Sequence, residues 1–265
     1  KVADSEVEIR FHERGMFNRG VTSTTFDRVY ETLSGDKSFN RVSSKPEVTK
    51  VLQGSTNFRM TVNNKNASSV MRKRKIKVYD LKNYNIRFAE SAETPVNMSQ
   101  NTFYLNHRPS SMREKQRWTF IHESKLWKID MTKVVFNGAK SYEVELEFLN
   151  VQAPINKITA VGEEIIIQLL KLCQDSKYIV TNDYVIGMLK QYENMLRIPR
   201  SKFVGPLPFT ISKDDFMSGA VSCGYSVTDK ADGQRVLLFS FRKNHNKMQS
   251  ILVLLRYDLA ATFFH

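Results

Sequence analysis

Short runs of alternating polar and apolar residues dominate the chain from Glu6 to Phe148. Because successive side chains of a β-strand point to opposite faces, this alternation predicts strands with one polar and one apolar face. Stretches rich in Asn, Gly and Ser separate the runs, which is typical of antiparallel strands joined by turns. The predicted strands are residues 6–13, 55–62, 73–79, 85–93, 113–122, 125–136 and 141–150.

Helical periodicity begins after Pro154, where apolar residues recur every three or four positions. It predicts a helix at 155–174 that buttresses the strands, and a second helix at 183–196 capped by Asn182. A shorter helix is predicted at 24–33, with Thr24 or Thr25 as its N-cap. The other predictions are loops at 34–50 and 95–111 and strands at 225–229 and 235–241.

The composition narrows the possible partners and compartments. A net charge of +13 over 265 residues implies an anionic partner, with nucleic acid ahead of an acidic membrane surface. The hydrophobic share of 41% is enough for a core, which argues against wholesale disorder. Two cysteines form no disulfide framework and no CxxC pair suggests zinc, so a reducing, cytoplasmic compartment is predicted. No apolar run approaches the roughly 18–20 residues that span a bilayer, so no membrane partner is expected.

Two of the predicted strands carry rows of glutamate on one face. Glu6 and Glu8 alternate with apolar residues near the start, and Glu143, Glu145 and Glu147 repeat the pattern later in the chain. Like charges in register repel, and burying an unpaired carboxylate is costly. A divalent cation such as Mg²⁺ or Mn²⁺, which prefers oxygen ligands, would offset them. The alternative is the solvated face of an ordinary amphipathic sheet.

Other predicted strands carry rows of basic residues. Arginine forks and lysine charges both suit phosphate oxygens. Rows of cations beside rows of anions therefore predict one cavity that holds a metal and a polyphosphate, although each basic row alone also fits an exposed or RNA-binding surface. The basic residues are Arg59, Lys73, Lys75, Lys77, Arg87, Arg113, Lys115 and Arg117.

The ordered set of motifs over residues 5–150 resembles a known family. Residues 5–10 (SEVEIR) and 142–147 (YEVELE) are similar to the paired glutamate strands of the triphosphate tunnel metalloenzymes, and most like their fungal and large-DNA-virus RNA triphosphatases. The intervening order fits that branch too, from 59–61 (RMT) through 113–122 (REKQRWTFIH) to 129–134 (IDMTKV). The resemblance implies an α+β fold, in which an antiparallel eight-stranded β-barrel encloses a hydrophilic tunnel with flanking helices.

The same resemblance implies roles for individual residues. Glu6, Glu8 and Glu147 would ligate Mg²⁺ or Mn²⁺, and Glu145, with Glu143 in the catalytic set, would orient or deprotonate the attacking water. Arg10, Glu93 and Asp130 would orient neighbouring side chains. The implied phosphate-binding residues are Arg59, Lys75, Arg87, Arg113, Lys115 and Arg117, with Lys73 or Lys77 as alternatives to Lys75.

The implied reaction is attack of water on the γ-phosphorus of 5′-triphosphate RNA, the first step of mRNA capping. A general tripolyphosphatase that also accepts nucleoside triphosphates is the alternative within this fold. A non-catalytic RNA-binding module is the alternative from another class.

A turn of sequence Lys230-Ala231-Asp232-Gly233 lies between the two late predicted strands. Alone it is a weak signal that also fits a surface turn. Together with residues 203–208 (FVGPLP) it resembles the nucleotidyl-lysine motif of mRNA guanylyltransferases, which implies Lys230 as the nucleophile toward GTP and Asp232, Gly233 and Arg235 near the nucleotide. The motifs expected after it are missing, so guanylyl transfer is expected only in a longer parent chain.

These observations predict the amino-terminal part of a bifunctional capping enzyme of a large cytoplasmic DNA virus. Residues 1–198 would form the triphosphatase domain and residues 199–265 a truncated nucleotidyltransferase segment.

Overall fold

The fold is that of a computed structural model, which describes residues 5–14, 17, 19–53, 57–63, 68–107, 111–149, 152–198, 204, 211–219, 236–242, 250–256 and 261–264. The chain divides into two compact units, Lys1–Asp183 and Tyr184–His265. The domain boundary predicted at residue 198 stays a prediction.

The first unit is built on a closed antiparallel barrel. Strand order runs β7-β3-β4-β5-β6-β1-β9-β8, and pairing of β8 with β7 closes the eight-stranded ring. The short strand β2 pairs with the end of β7, beyond the segment of β7 that pairs with β3. The strands are β1 (Ser5–Phe11), β2 (Phe39–Arg41), β3 (Glu47–Gln53), β4 (Phe58–Asn63), β5 (Ser68–Leu81), β6 (Ile86–Val96), β7 (Ser111–His122), β8 (Trp127–Phe136) and β9 (Ala139–Phe148). The predicted eight-stranded barrel is confirmed.

The sequence pattern identified seven of the eight barrel strands and missed β3. The predicted loop at 34–50 in fact contains β2 and the start of β3, because Ser- and Lys-rich residues just before Pro46 hide the alternation that follows. The predicted loop at 95–111 contains the helix α2 (Gln100–His107). The helix α1 (Ser23–Gly35) begins earlier than predicted: its N-cap is Thr22, whose hydroxyl accepts from the Thr25 backbone N–H at 3.3 Å.

The main hydrophobic core lies outside the barrel rather than within it. The apolar faces of β1, β7, β8 and β9 pack against α1 and against α3 (Ile155–Gln174). The core residues include Ile9, Phe11, Phe26, Val29, Ile129, Leu146, Ile165 and Leu169. A smaller cluster, in which Phe103 of α2 packs on Leu52, Met60 and Val70, covers β3–β5. Because these apolar faces turn outward, the polar faces of the same strands line the barrel interior.

Trp127 joins α3 to the barrel. It is 7% exposed and donates from Nε1 to the Ile158 carbonyl at 3.0 Å, which supports the predicted buttressing by this helix. The indole lies against Gly162, where an added Cβ would come within 2.7 Å of Trp127 Cζ2. Only a residue without a side chain therefore lets the helix approach this closely.

We expect Gly162→Ala to lower the free energy of unfolding by about 1–3 kcal/mol, because the methyl group overpacks this contact. The matched control is Gly187→Ala in α4 (Asn182–Leu196), where no atom lies within 4 Å of the added Cβ. Better helix propensity should make that variant neutral or up to about 1 kcal/mol more stable. Urea unfolding of both variants checks the prediction, and equal stabilities would contradict it.

Asn182 is the first residue of α4 rather than its predicted cap. Its side-chain amide donates to the Lys82 carbonyl at 2.7 Å and to Asn85 Oδ1 at 2.9 Å. Asn83 Nδ2 donates to Asp183 Oδ2, and the Asp183 backbone N–H donates to Asn83 Oδ1, both at 2.9 Å. The start of this helix is therefore fixed by the turn between β5 and β6.

The second unit contains most of α4, the short helix α5 (Lys213–Met217) and a three-stranded antiparallel sheet. The sheet is formed by β10 (Val236–Arg242), β11 (Ser250–Arg256) and β12 (Ala261–Phe264), and β10 matches the strand predicted at 235–241. The strand predicted at 225–229 lies outside the described residues. Within the part of the chain that the structure describes, no helix has the length and apolar character needed to cross a membrane.

Candidate active site: a charged tunnel

The barrel interior brings the two glutamate rows together. Strands β1 and β9 are neighbours, with Glu8 opposite Glu147 and Arg10 opposite Glu145. Since alternate residues share a face, all five predicted glutamates face the same lumen. Part of this lumen is a cavity of about 260 Å³ between β1, β4, β5 and β6.

Arg10 joins the two rows. Its Nη2 lies 3.0 Å from Glu8 Oε1, and its Nε lies 2.8 Å from Glu145 Oε1. Both carboxylates are buried, with 7% of Glu8 and 6% of Glu145 exposed. Arg10 therefore forms ion pairs with both carboxylates, while its orienting role stays a prediction.

The carboxylates differ in how readily they ionise. Burial raises the pKa of Glu145, and the charges of Glu143 and Glu8 add to this effect although Arg10 opposes it. Burial likewise raises the pKa of Glu147 to about 7 despite the nearby ammonium of Lys128. Burial also acts to raise the pKa values of Glu6 and Glu143, but neighbouring groups together outweigh it and both pKa values are lowered. The main opposing group is Lys73 for Glu6, and for Glu143 it is Lys115 together with nearby arginines. Glu145 and Glu147 are thus incompletely neutralised by the side chains around them.

Strand β7 supplies the predicted basic row. Arg117 donates from Nη1 to Asp130 Oδ2 at 3.2 Å and from Nε to the Thr132 hydroxyl at 3.2 Å. Lys115 lies 3.5 Å from Glu143, and the Arg113 guanidinium lies 5.8 Å from the centre of the Phe136 ring. Asp130 is only 1% exposed and accepts this hydrogen bond from Arg117, while its orienting role in the reaction stays a prediction.

A bulge in β5 separates the three candidate lysines. Pairing with β6 shifts between Lys75 and Lys77, which leaves Lys77 on the face opposite the lumen. Lys73 forms ion pairs with Glu6 and, at 2.8 Å, with Glu93. Lys75 lines the cavity together with Arg59. Lys73 and Lys75 therefore face the lumen and Lys77 does not, while the phosphate-binding role itself stays a prediction.

Arg87 faces the lumen from β6 but has a partner that the sequence did not suggest. Asp80 accepts two hydrogen bonds from this guanidinium, at 2.6 Å from Nε and 2.8 Å from Nη2. The Phe17 ring lies 5.3 Å from the same group. These contacts fix the direction in which Arg87 presents its charge.

Lys128 is a further lumen residue whose role the sequence did not suggest. Its ammonium lies 3.0 Å from Glu147 and 3.1 Å from Asp130. The alternation of Lys128, Asp130 and Thr132 along β8 is a usable signal, because an orienting role for Asp130 in the tunnel would place Lys128 on the same face. Ser91 of β6 shares a face with Arg87 and Glu93 but was not among the predicted site residues; its hydroxyl donates to Glu6 Oε2 at 3.3 Å.

A divalent cation would find suitable oxygen donors in this lumen. Glu6, Glu8 and Glu147 share one end of the tunnel, and the raised pKa of Glu147 indicates a carboxylate that a further cation would stabilise. Each of the three is engaged by a basic side chain, and among the described residues no three acidic, His or Cys side chains are gathered closely enough to enclose an ion. Binding would therefore require Glu6 and Glu147 to turn from Lys73 and Lys128.

The predicted nucleotidyl-lysine motif lies outside the described residues, as do all of its residues: Lys230, Asp232, Gly233 and Arg235. The nucleotidyltransferase prediction for this segment therefore stays a prediction.

A closed antiparallel barrel with facing rows of acidic and basic side chains is the architecture of a tunnel-type triphosphatase. The chain belongs to the mRNA triphosphatase family, described as "mRNA capping enzyme, beta chain", which matches residues 4–182. Its homologues are RNA triphosphatases of mRNA capping, and the family is metal-dependent. The family predicted from the glutamate strands is therefore confirmed.

Individual relatives are distant. A probable mRNA-capping enzyme of Acanthamoeba polyphaga mimivirus is 26% identical over 136 residues, which are 48% of this chain and 11% of that protein. The chain thus spans a small part of the curated relative that it matches. The S. pombe Pct1 RNA triphosphatase structure is 19% identical with a TM-score of 0.48, covering 74% of this chain and 86% of Pct1. The mimivirus capping enzyme triphosphatase structure is 15% identical with a TM-score of 0.44, and the match covers 62% of this chain and 89% of that chain.

Proposed function

We propose that the tunnel hydrolyses the γ-phosphate of 5′-triphosphate RNA, with Mg²⁺ or Mn²⁺ as the required metal. The observation that carries this proposal is the meeting of two carboxylate rows and a basic row around one lumen. A polyphosphate chain with its counter-cation matches that distribution of charge, because acidic side chains suit the metal and basic side chains suit the phosphates.

Glu6, Glu8 and Glu147 would hold the metal. When bound, a divalent cation supplies neutralisation of the charge that develops on the phosphoryl oxygens. Arg10 keeps Glu8 in place through its 3.0 Å contact. The Ser91 hydroxyl of the neighbouring strand β6 donates a hydrogen bond to Glu6 Oε2 at 3.3 Å and would help to position Glu6.

The basic side chains fall into two groups with different proposed tasks. Lys115, Arg117 and Arg87 are each held by an acidic partner, so they present charge in a fixed geometry. Arg59, Lys75 and Arg113 form no ion pair with any residue that the structure describes, which leaves them able to bind phosphate without breaking one. Preorganised cations stabilise transferring phosphoryl groups more strongly than solvent does.

Glu145 would position the attacking water and accept its proton. Its two oxygens lie between Arg10 and Arg117, at 2.8 and 3.8 Å. Burial raises its pKa, which makes it a better proton acceptor than an exposed carboxylate. Glu143 holds Lys115 beside it.

Phosphate release from γ-labelled triphosphate-ended RNA tests this function. We expect release with Mg²⁺ or Mn²⁺, none after chelation by EDTA, and restoration when metal is added back. Release from ATP and tripolyphosphate but not from RNA would replace the RNA assignment with a general triphosphatase. Salt-sensitive RNA binding without any metal-dependent release would instead indicate a binding module.

A further inference from the structure

A second cavity, here called the mouth recess, opens where β1 ends and β9 begins. Its volume is about 600 Å³. It shares Arg10, Arg113, Glu143 and Glu145 with the tunnel lining, so it is continuous with the proposed catalytic lumen. Beyond the tunnel it is lined by His12, Arg19, Thr22, Ser23, Lys140 and Tyr142.

The recess is lined by basic side chains that could bind an anion. Arg19, Arg113 and Lys140 form no ion pair with any residue in the described ranges. Helix α1 begins in the recess at Ser23, but Glu13 accepts hydrogen bonds from the hydroxyls of Thr22 and Thr25 there and already supplies a negative charge at its positive dipole end. The cations of the recess, rather than the helix dipole, are therefore what would attract an anion. At the other end of the tunnel the corresponding lysines are paired, Lys73 with Glu6 and Glu93, and Lys128 with Glu147.

His12 gives an independent indication of a ligand. It lies just after the end of β1, two residues beyond Arg10, and is 7% exposed, yet neither of its ring nitrogens has a hydrogen-bond partner among the described residues. Burial together with Arg87 and Arg10 lowers its pKa to about 4. A neutral imidazole can donate and accept hydrogen bonds, and its ring lies 4.8 Å from that of Phe17. Buried polar atoms are normally satisfied, so the recess offers an unfilled partner to a hydroxyl or a base edge.

We propose that the mouth recess binds the first nucleotides of the RNA, and that Arg19 and Lys140 contact the phosphodiesters that follow the triphosphate. The inference rests on the proposed function and states which end of the tunnel the RNA occupies. The triphosphate lies in the lumen and the RNA body leaves past β9. His12 faces the sugar or base of the leading nucleotide. The recess thereby distinguishes RNA from inorganic tripolyphosphate, which fills only the lumen.

Steady-state hydrolysis by the whole chain tests this subsite, with triphosphate-ended RNA and inorganic tripolyphosphate as parallel substrates. For the double variant Arg19→Ala/Lys140→Ala we expect the KM for RNA to rise about tenfold, and the salt dependence of log KM to weaken by about 0.7 for each lost phosphate contact. Hydrolysis of tripolyphosphate should change less than twofold, which also shows that the variant is folded.

The control is Lys171→Ala/Lys177→Ala, which removes the same charge near the end of α3, away from the tunnel. It should leave the KM for RNA within twofold of the wild-type value. An unchanged KM for RNA in the recess variant, or an equal loss on both substrates, overturns the subsite. A wild-type protein that hydrolyses tripolyphosphate but not RNA would overturn the proposed function itself, a result that the variants do not produce.

Discussion

Glu145→Gln should reduce phosphate release from triphosphate-ended RNA by about 10²–10⁴-fold, the contribution typical of a general base. The amide keeps the shape of the side chain but cannot accept the proton of the attacking water. Arg10 retains Glu8 as a partner at 3.0 Å, so the surrounding geometry should persist. The loss is expected in kcat with little change in KM, because Glu145 is not proposed to bind phosphate.

Two controls separate catalysis from folding in this experiment. Glu164→Gln changes an exposed carboxylate of α3 and should leave activity within twofold of wild type. The free energy of unfolding of Glu145→Gln should not fall, because burial already disfavours the charged form of Glu145. Full activity in Glu145→Gln would remove Glu145 from the catalytic set. A Glu145→Gln variant that fails to fold would show that Glu145 is needed for folding rather than for catalysis.

Glu8→Gln provides the comparison for metal binding. Glu8 faces Glu147 across β1 and β9, so its loss should weaken Mn²⁺ binding, measured by calorimetry without substrate. Glu145→Gln should bind Mn²⁺ with affinity closer to wild type. Equal effects on metal affinity would contradict the separate roles given to these two carboxylates.

The alternation of polar and apolar residues was enough to predict which faces of β1 and β9 carry charge. Each glutamate row predicted its own strand, because a side-chain period of two follows directly from strand geometry. What the pattern could not supply was register. That Glu8 lies opposite Glu147, and Arg10 opposite Glu145, depends on pairing between strands more than 130 residues apart, which no local periodicity encodes.

The features that the sequence did not reveal depend on strand pairing or on local irregularities. The bulge after Lys75 changes which lysines face the lumen, and a single-residue irregularity leaves no mark in a row of alternating lysines. Asp80 lies near the end of β5, and its pairing with Arg87 appears only once β5 and β6 are aligned. Strand β3 was hidden because its alternation lies next to a polar, Ser-rich approach. Sequence therefore predicted the composition of the tunnel better than its internal contacts.

Asp130→Ala should be among the most destabilising changes in the tunnel, lowering the free energy of unfolding by about 3–5 kcal/mol. Asp130 is 1% exposed and accepts hydrogen bonds from Arg117 at 3.2 Å, Thr119 at 2.6 Å and Lys128 at 3.1 Å. Removing it leaves two partly buried cations without the anion that they share. Breaking a buried ion pair by deleting one partner costs more than the pair contributes, because the remaining charge stays desolvated.

The matched control is Asp27→Ala on the outside of the barrel, where Asp27 lies 3.8 Å from Lys133 and its side chain is 60% exposed. An exposed pair of this kind contributes about 0–1 kcal/mol. Urea unfolding should therefore separate the two aspartate variants clearly, with Asp130→Asn between them because the amide oxygen still accepts from Thr119. The double variant Asp130→Ala/Arg117→Met should recover part of the loss, since Arg117 loses its close ion pair with Asp130 whereas Lys128 keeps Glu147 at 3.0 Å. An Arg117→Met background in which Asp130→Ala costs as much as in wild type would show that the penalty arises from lost packing rather than from uncompensated charge.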